Sequence, residues 1–278
     1  MELARLHELE RDLVAPVVLA AFDGWVDAAG SASSAADHLA RGGEAVATFQ
    51  NDLLYDYRSR RPVLDIIDGT LTRLQWPELQ LHRKRFEGRD VLVLHGPEPD
   101  FRWRQLGDDV LETCLRLGIT QWISVGAIPA AVAHTRPVPV LATATAEGLL
   151  DEAETQGPDG LLRVPSACLS AIEMTVTGGG VPGVGFYAQV PHYVGGPFAA
   201  ASVSLLEHLG RHLRVALPLG SLPEDAIQQR ERLDTAVQGD EDVREILERL
   251  ESISDEKLPT GDDLASEIER FLRGEDGR

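Results

Sequence analysis

The chain has 278 residues, enough for one large domain or a domain with an appendage, and its 43% hydrophobic content suffices for a sizeable core. Its 26 Lys and Arg stand against 45 Asp and Glu, a formal net charge of −19, which argues against nucleic acid or an anionic membrane as a partner. No signal-like apolar run follows a basic start and no stretch is apolar for the ~18 residues a membrane helix needs, so the cytoplasm is the expected compartment.

In chain order, Pro16–Phe22 (PVVLAAF) has the length and apolarity of a buried strand, closed by Asp23-Gly24-Trp25. Residues 27–41 are rich in small side chains and predict a helix lying close on a sheet. Asp27 is placed to cap its free N–H groups, and Gly42-Gly43 stops it. Glu44–Phe49 returns as a strand, giving a β-α-β unit with a crossover helix. Residues 51–76 are irregular, with one expected strand at Val63–Asp68. Arg83-Lys84-Arg85 is a compact basic cluster and is expected on a solvated helix end or loop.

Asp90–His95 (DVLVLH) predicts the next strand, ended by Gly96-Pro97-Glu98-Pro99. A helix is expected over 103–117, then a strand over Gln121–Gly126, a polar loop over 151–159, a strand over Val184–Gln189 and a helix over 198–213. This alternation predicts an α/β fold with a mostly parallel sheet covered on both faces. The region 1–221 is expected to form this core. From Leu222 onward, 18 acidic and 8 basic residues concentrate the negative charge. Val243, Ile246, Leu247, Leu250 and Ile253 keep helical spacing, as do Leu264, Ile268, Phe271 and Leu272 behind a cap at Thr260 or Asp262. The region 222–278 therefore reads as an acidic helical extension, buried against the core or a neighbouring subunit.

Chemistry is hard to find. No phosphate-binding GxxxxGK[ST] or GxSxG elbow is present, and Gly178–Gly185 precedes a strand, the wrong order for a nucleotide cradle. Cys114 and Cys168 form no CxxC pair, and Cys114 falls in an apolar helical stretch as a core residue. His208 and His212 share a helix face, but Leu209 stands where HExxH needs glutamate, so an exposed face is expected rather than zinc. No metal and no cofactor is expected.

What remains is a rim of loop residues at the carboxyl ends of the strands, where open parallel sheets bind ligands. Asp23, Trp25 and Asp27 follow the first strand, and Glu98, Arg102 and Trp103 follow the DVLVLH strand. His134 and Arg136 follow the 121–126 strand, and His192 follows the last. On one edge these groups could do acid–base work, bind an anion, or form a capping and ion-pair network that holds loops.

The same loops carry a resemblance. FDGWVDAAG at 22–30, HGPEPDFRW at 95–103, HTRPVPV at 134–140 and VPHYV at 190–194 resemble the proteasome assembly chaperone family. The branch is that of the second such chaperone, in its actinobacterial form. Tyr55-Asp56-Tyr57-Arg58, Arg61-Pro62, Trp76-Pro77 and GDDLASEIERFLR at 261–273 fit it too. The resemblance implies a three-layer α/β/α core similar to nucleoside phosphorylases and related hydrolases. It also implies self-association as a homotrimer, and a protein partner related to the proteasome, whose α-ring the eukaryotic relatives help to assemble. Two places depart. Arg163–Cys168 replaces an aromatic, Gly-Pro-Thr-Gly-like segment, and Gly274–Arg278 lacks the hydrophobic–Tyr–any-residue docking tail. The expected function is a non-catalytic oligomeric assembly or scaffold protein. The alternative is a small-molecule enzyme, hydrolase- or phosphorylase-like, working from the rim.

Overall fold

The computed structural model describes residues 2–8, 12–152, 154–157, 160–239 and 241–256. In chain order the elements begin with β1 (Ala4–Leu6), β2 (Val17–Asp23), a 3-10 turn (Ala28–Gly30), α1 (Ser31–Ala40), β3 (Glu44–Phe49) and α2 (Asn51–Leu54). Next come β4 (Val63–Ile67), β5 (Thr70–Gln75), β6 (Gln80–Phe86), β7 (Arg89–Pro97), α3 (Trp103–Arg116), β8 (Gln121–Ala130) and β9 (Val140–Ala144). The chain continues with α4 (Cys168–Gly178), β10 (Gly183–Pro191), α5 (Ala199–Leu213), α6 (Leu222–Gln238) and α7 (Glu241–Glu256). No helix among the described residues is long and apolar enough to cross a membrane.

Eight strands form one mixed sheet in the order β1-β3-β6-β7-β2-β8-β10-β9. The central four, β7-β2-β8-β10, are parallel, and this core is what the long apolar runs encode. Antiparallel strands extend it on both sides. Side chains alternate between two buried layers. Val17, Leu19 and Ala21 of β2 face α1 and α5, whereas Val18, Ala20 and Phe22 face α3 and α4. The result is an α/β/α sandwich. Ala32, Ala35 and Ala36 are the buried face of α1, and their small size lets this helix sit close to the strands.

Several expectations are revised. β2 and β3 run the same way, but they are not neighbours: the β6–β7 hairpin lies between them. The segment 51–76 holds the short α2 and a two-stranded ribbon, β4–β5, separate from the main sheet. Arg83-Lys84-Arg85 sits on β6, not on a helix end or loop. Arg83 is buried there because its Nε donates to the fully buried Asp90 at 2.9 Å, with Glu44 at 3.5 Å. The His208/His212 face is half-buried rather than exposed. His208 Nδ1 bonds the Ser204 carbonyl at 2.8 Å, and His212 meets Gln121 and stands edge-on to Phe186. The glycine run closes α4, which the sequence reading did not assign, and enters β10.

The acidic region continues as α6 and α7. α6 lies on α5: Leu222 is buried, Ala226 and Leu233 are partly buried against the core, and the Ala199 amide donates to Gln229 Oε1 at 2.7 Å. Val237 and Leu250 are buried, whereas Ile246 of the expected stripe is 48% exposed. The side chains of Val243 and Ile253, the expected cap at Thr260 or Asp262 and the expected helix with Leu264, Ile268, Phe271 and Leu272 lie outside the described residues.

Candidate functional site

The parallel core brings the carboxyl ends of β7, β2, β8 and β10 to one edge, and all the rim residues lie along it. They form two groups with Asp27 between them. Among the described residues, no hydrogen bond or ion pair joins the two groups.

The first group surrounds Glu98, just after β7. Its amide donates to the Asp23 carbonyl at 2.9 Å. Its carboxylate turns inward: Oε2 accepts the Trp25 amide at 2.9 Å and Oε1 accepts the Cys168 amide at 2.6 Å, at the start of α4. One carboxylate thus ties the loop after β2 to the N-terminal turn of a helix, where negative charge is favoured. Gly24 is required for this approach, since a Cβ there would come within 2.3 Å of Glu98 Oε2. Trp103 donates its ring N–H to the Pro99 carbonyl at 2.6 Å, and Arg102 reaches Gln105 at 3.2 Å. The Trp25 ring is 64% exposed and the Asp23 side chain points to solvent. Cys168 is buried beside Glu98, and both burial and that carboxylate push its thiol well above the ordinary cysteine range. Such a thiol is a poor nucleophile.

Asp27 is buried and works as a cap. Its Oδ1 accepts the Ala32 and Ser33 amides at 2.7 and 3.3 Å, and its Oδ2 accepts the Ser33 hydroxyl. Burial raises its pKa above the usual aspartate value, while the Ser33 hydroxyl and the two amides pull the other way. A carboxyl with a raised folded pKa keeps its proton where the unfolded chain has lost it. Its contribution to stability therefore falls as pH rises from the ordinary aspartate value through the folded value. Asp27→Ala should cost about 1–2 kcal/mol in urea unfolding by loss of the cap. Asp27→Asn should cost less and remove that part of the pH slope, because the amide keeps an acceptor oxygen without a charge to desolvate.

The second group joins the rim to the acidic helices. His134 is buried, and the Tyr193 hydroxyl accepts its backbone N–H at 2.9 Å. The same hydroxyl lies 2.7 Å from Nδ1, and Nε2 lies 3.1 Å from Asp234 on α6. A consistent assignment has Tyr193 O–H donating to Nδ1 and Nε2–H donating to the carboxylate. Thr135 donates to Glu251. Arg136 grips Asp255 with two parallel bonds, 2.8 and 2.7 Å, and reaches Glu251 at 3.3 Å, both on α7. His192 is exposed and its ring meets the Ala130 carbonyl at 3.3 Å.

The partners on α6 and α7 lie 100 to 119 residues away in sequence, beyond the reach of any local spacing rule. The only hint was compositional: a basic loop residue in a chain whose carboxylates crowd its last fifth. Arg136 holds Asp255 below the usual aspartate value. A depressed carboxylate contributes above its unfolded pKa and loses that contribution as pH falls through the folded value. Relative to the slower intrinsic rate in acid, amide exchange over 241–256 should therefore quicken on acidification below the ordinary aspartate range. Arg136→Ala should quicken it already at neutral pH, and hydrogen–deuterium exchange mass spectrometry reads both effects.

Comparison with known proteins fits this architecture. The PAC2 family model matches residues 21–237. Among curated proteins, none matches. A Mycobacterium tuberculosis protein of unknown function is 32% identical, with a TM-score of 0.83 over 91% of each chain. A proteasome-assembly chaperone homologue from the same organism is 33% identical, with a TM-score of 0.74 over 83% of this chain and 99% of that one. An archaeal proteasome activator from Pyrococcus furiosus shares the fold, with a TM-score of 0.63 at 15% identity over 85% of this chain and 99% of that one. With a family model spanning most of its length and actinobacterial structures matching most of its fold, the chain belongs to the PAC2 family.

Proposed function

We propose that this protein acts by holding other proteins: an assembly factor of the proteasome-assembly-chaperone kind, working in the cytoplasm as a homotrimer. The observation that carries this reading is how the rim groups are engaged. Asp27 caps a helix, Glu98 accepts two backbone amides, and His134 and Arg136 bind carboxylates of α6 and α7. Acid–base catalysis needs a group within reach of a proton on a bound substrate, and these groups already face protein partners. A rim so engaged fixes the shape of a surface, which is what recognition of another protein requires. The family relative described as a proteasome-assembly chaperone homologue supports the partner class.

The test is reconstitution. Purified proteasome α-subunits from the same host, mixed with the full-length chain, should co-elute with it and assemble faster, as followed by native mass spectrometry. Neither co-elution nor faster assembly would sink the reading.

A further inference from the structure

The β4–β5 ribbon is the part of the fold that the sandwich does not explain. Among the described residues, its two strands pair only with each other. A two-stranded ribbon alone is marginally stable in water and needs something packed against one face. Register places Leu64 opposite Leu74 and Ile66 opposite Leu71, with Thr72 bulged between, so these four aliphatics share one face. They are 42–68% exposed. Val63 and Ile67 add two exposed aliphatics on the other face, and Trp76, braced edge-on against Tyr57, adds a third large surface at the base.

The four aliphatics on one face present on the order of 400 Å² of contiguous apolar surface, about half of the ~800 Å² each partner gives in a standard interface. Patches of this size on a single chain often mark an interaction site. The charge around it is also out of character. Residues 58–75 hold four arginines against two aspartates, within a chain of net charge −19.

We propose that this ribbon is an arm that docks on a second copy of the chain. The receiving surface is formed by residues 147–152, 154–157 and 160–164. Glu147, Asp151, Glu152 and Glu154 lie there with no Lys or Arg before Arg163, beside Leu161, Leu162 and Val164, which are 86, 59 and 62% exposed. Aliphatic residues framed by arginines then meet aliphatic residues framed by carboxylates. Ribbon-to-ribbon pairing would instead oppose like charges. Arm-to-loop contact is head-to-tail, and such contacts close into rings when the rotation between copies closes. The inference rests on the self-association in the functional reading above and assigns its contact surface.

Light scattering on the full-length protein decides it. The wild type should run as an oligomer and Ile66→Asp/Leu71→Asp as a monomer, with circular dichroism unchanged because the ribbon lies outside both buried cores. Arg73→Glu is the milder second variant and should raise the concentration needed for assembly at least tenfold. For contact mapping, the native Cys114 and Cys168 are buried, so Leu71→Cys and Leu162→Cys introduce the accessible thiols. A short bis-maleimide should link copies carrying both substitutions and neither single variant. A monomeric wild type overturns both self-association and the arm. An oligomer that survives the ribbon substitutions overturns the arm alone, and cross-linking of Leu71→Cys by itself overturns the arm-to-loop contact.

Discussion

Arg83→Met should destabilise the folded chain by about 3–5 kcal/mol, the usual cost of breaking a buried ion pair from one side. Asp90 is fully buried. One of its oxygens accepts Arg83 Nε at 2.9 Å and the other accepts the Val14 amide at 2.7 Å. Methionine fills much of the volume of arginine but leaves the carboxylate with only the Val14 amide. The urea midpoint should drop with little change in slope, since the surface exposed on unfolding barely changes. Arg83→Met/Asp90→Asn should recover part of the loss by removing the stranded charge, which a double-mutant cycle measures. A single-variant cost below about 1 kcal/mol, the range of a solvated surface pair, would show that Asp90 is not confined as described.

The second large effect is expected at Glu98. Glu98→Ala removes the acceptor for two amides, Trp25 and Cys168, and should cost about 2–4 kcal/mol because each buried unsatisfied donor carries a desolvation penalty of ~1–3 kcal/mol. Glu98→Gln keeps one acceptor oxygen and should lose roughly half as much. The two variants also separate roles. If Glu98 serves only to join the loop after β2 to α4, stability and exchange protection in both segments fall together. Binding of a partner remote from that edge then stays unchanged once the folded fraction is matched. Unchanged stability in Glu98→Ala would count against the joint.

The sequence made the parallel core readable because its strands are buried on both faces, and such strands are written as uninterrupted apolar runs. PVVLAAF and DVLVLH are of this kind, and each became a strand with its ends within two residues of the expected ones. QLHRKRF was not readable. β6 shows alternate polar residues on the wing of the sheet, and the partner that makes Arg83 tolerable, Asp90, lies on the next strand. α4 was missed because its apolar residues lack a sharp one-sided stripe. At the rim, Asp27 could be assigned as a cap because its partners lie five and six residues away. His134 and Arg136 could be placed on an edge but not paired, since Asp234, Glu251 and Asp255 arrive only when α6 and α7 fold back.

The insertion of β6–β7 between β2 and β3 has a consequence for how the protein is made. β2 is the hub of the sheet, yet its neighbours are encoded far downstream: Val17 pairs with Val91 on one side and with Gln121 on the other. β3 leaves the ribosome early but reaches the main sheet only through β6, with Ala47 beside Leu81. The first sixty or so residues therefore hold β2 with no strand partner, and β3 with only the three-residue β1 beside it, until the following hairpin has been synthesised. Long-range pairing of this kind slows folding and leaves such segments open to off-pathway contacts. Truncated or stalled chains ending before residue 97 should need a holdase, and pulse proteolysis of nascent chains of graded length should show protection of β2 only after β7 is complete.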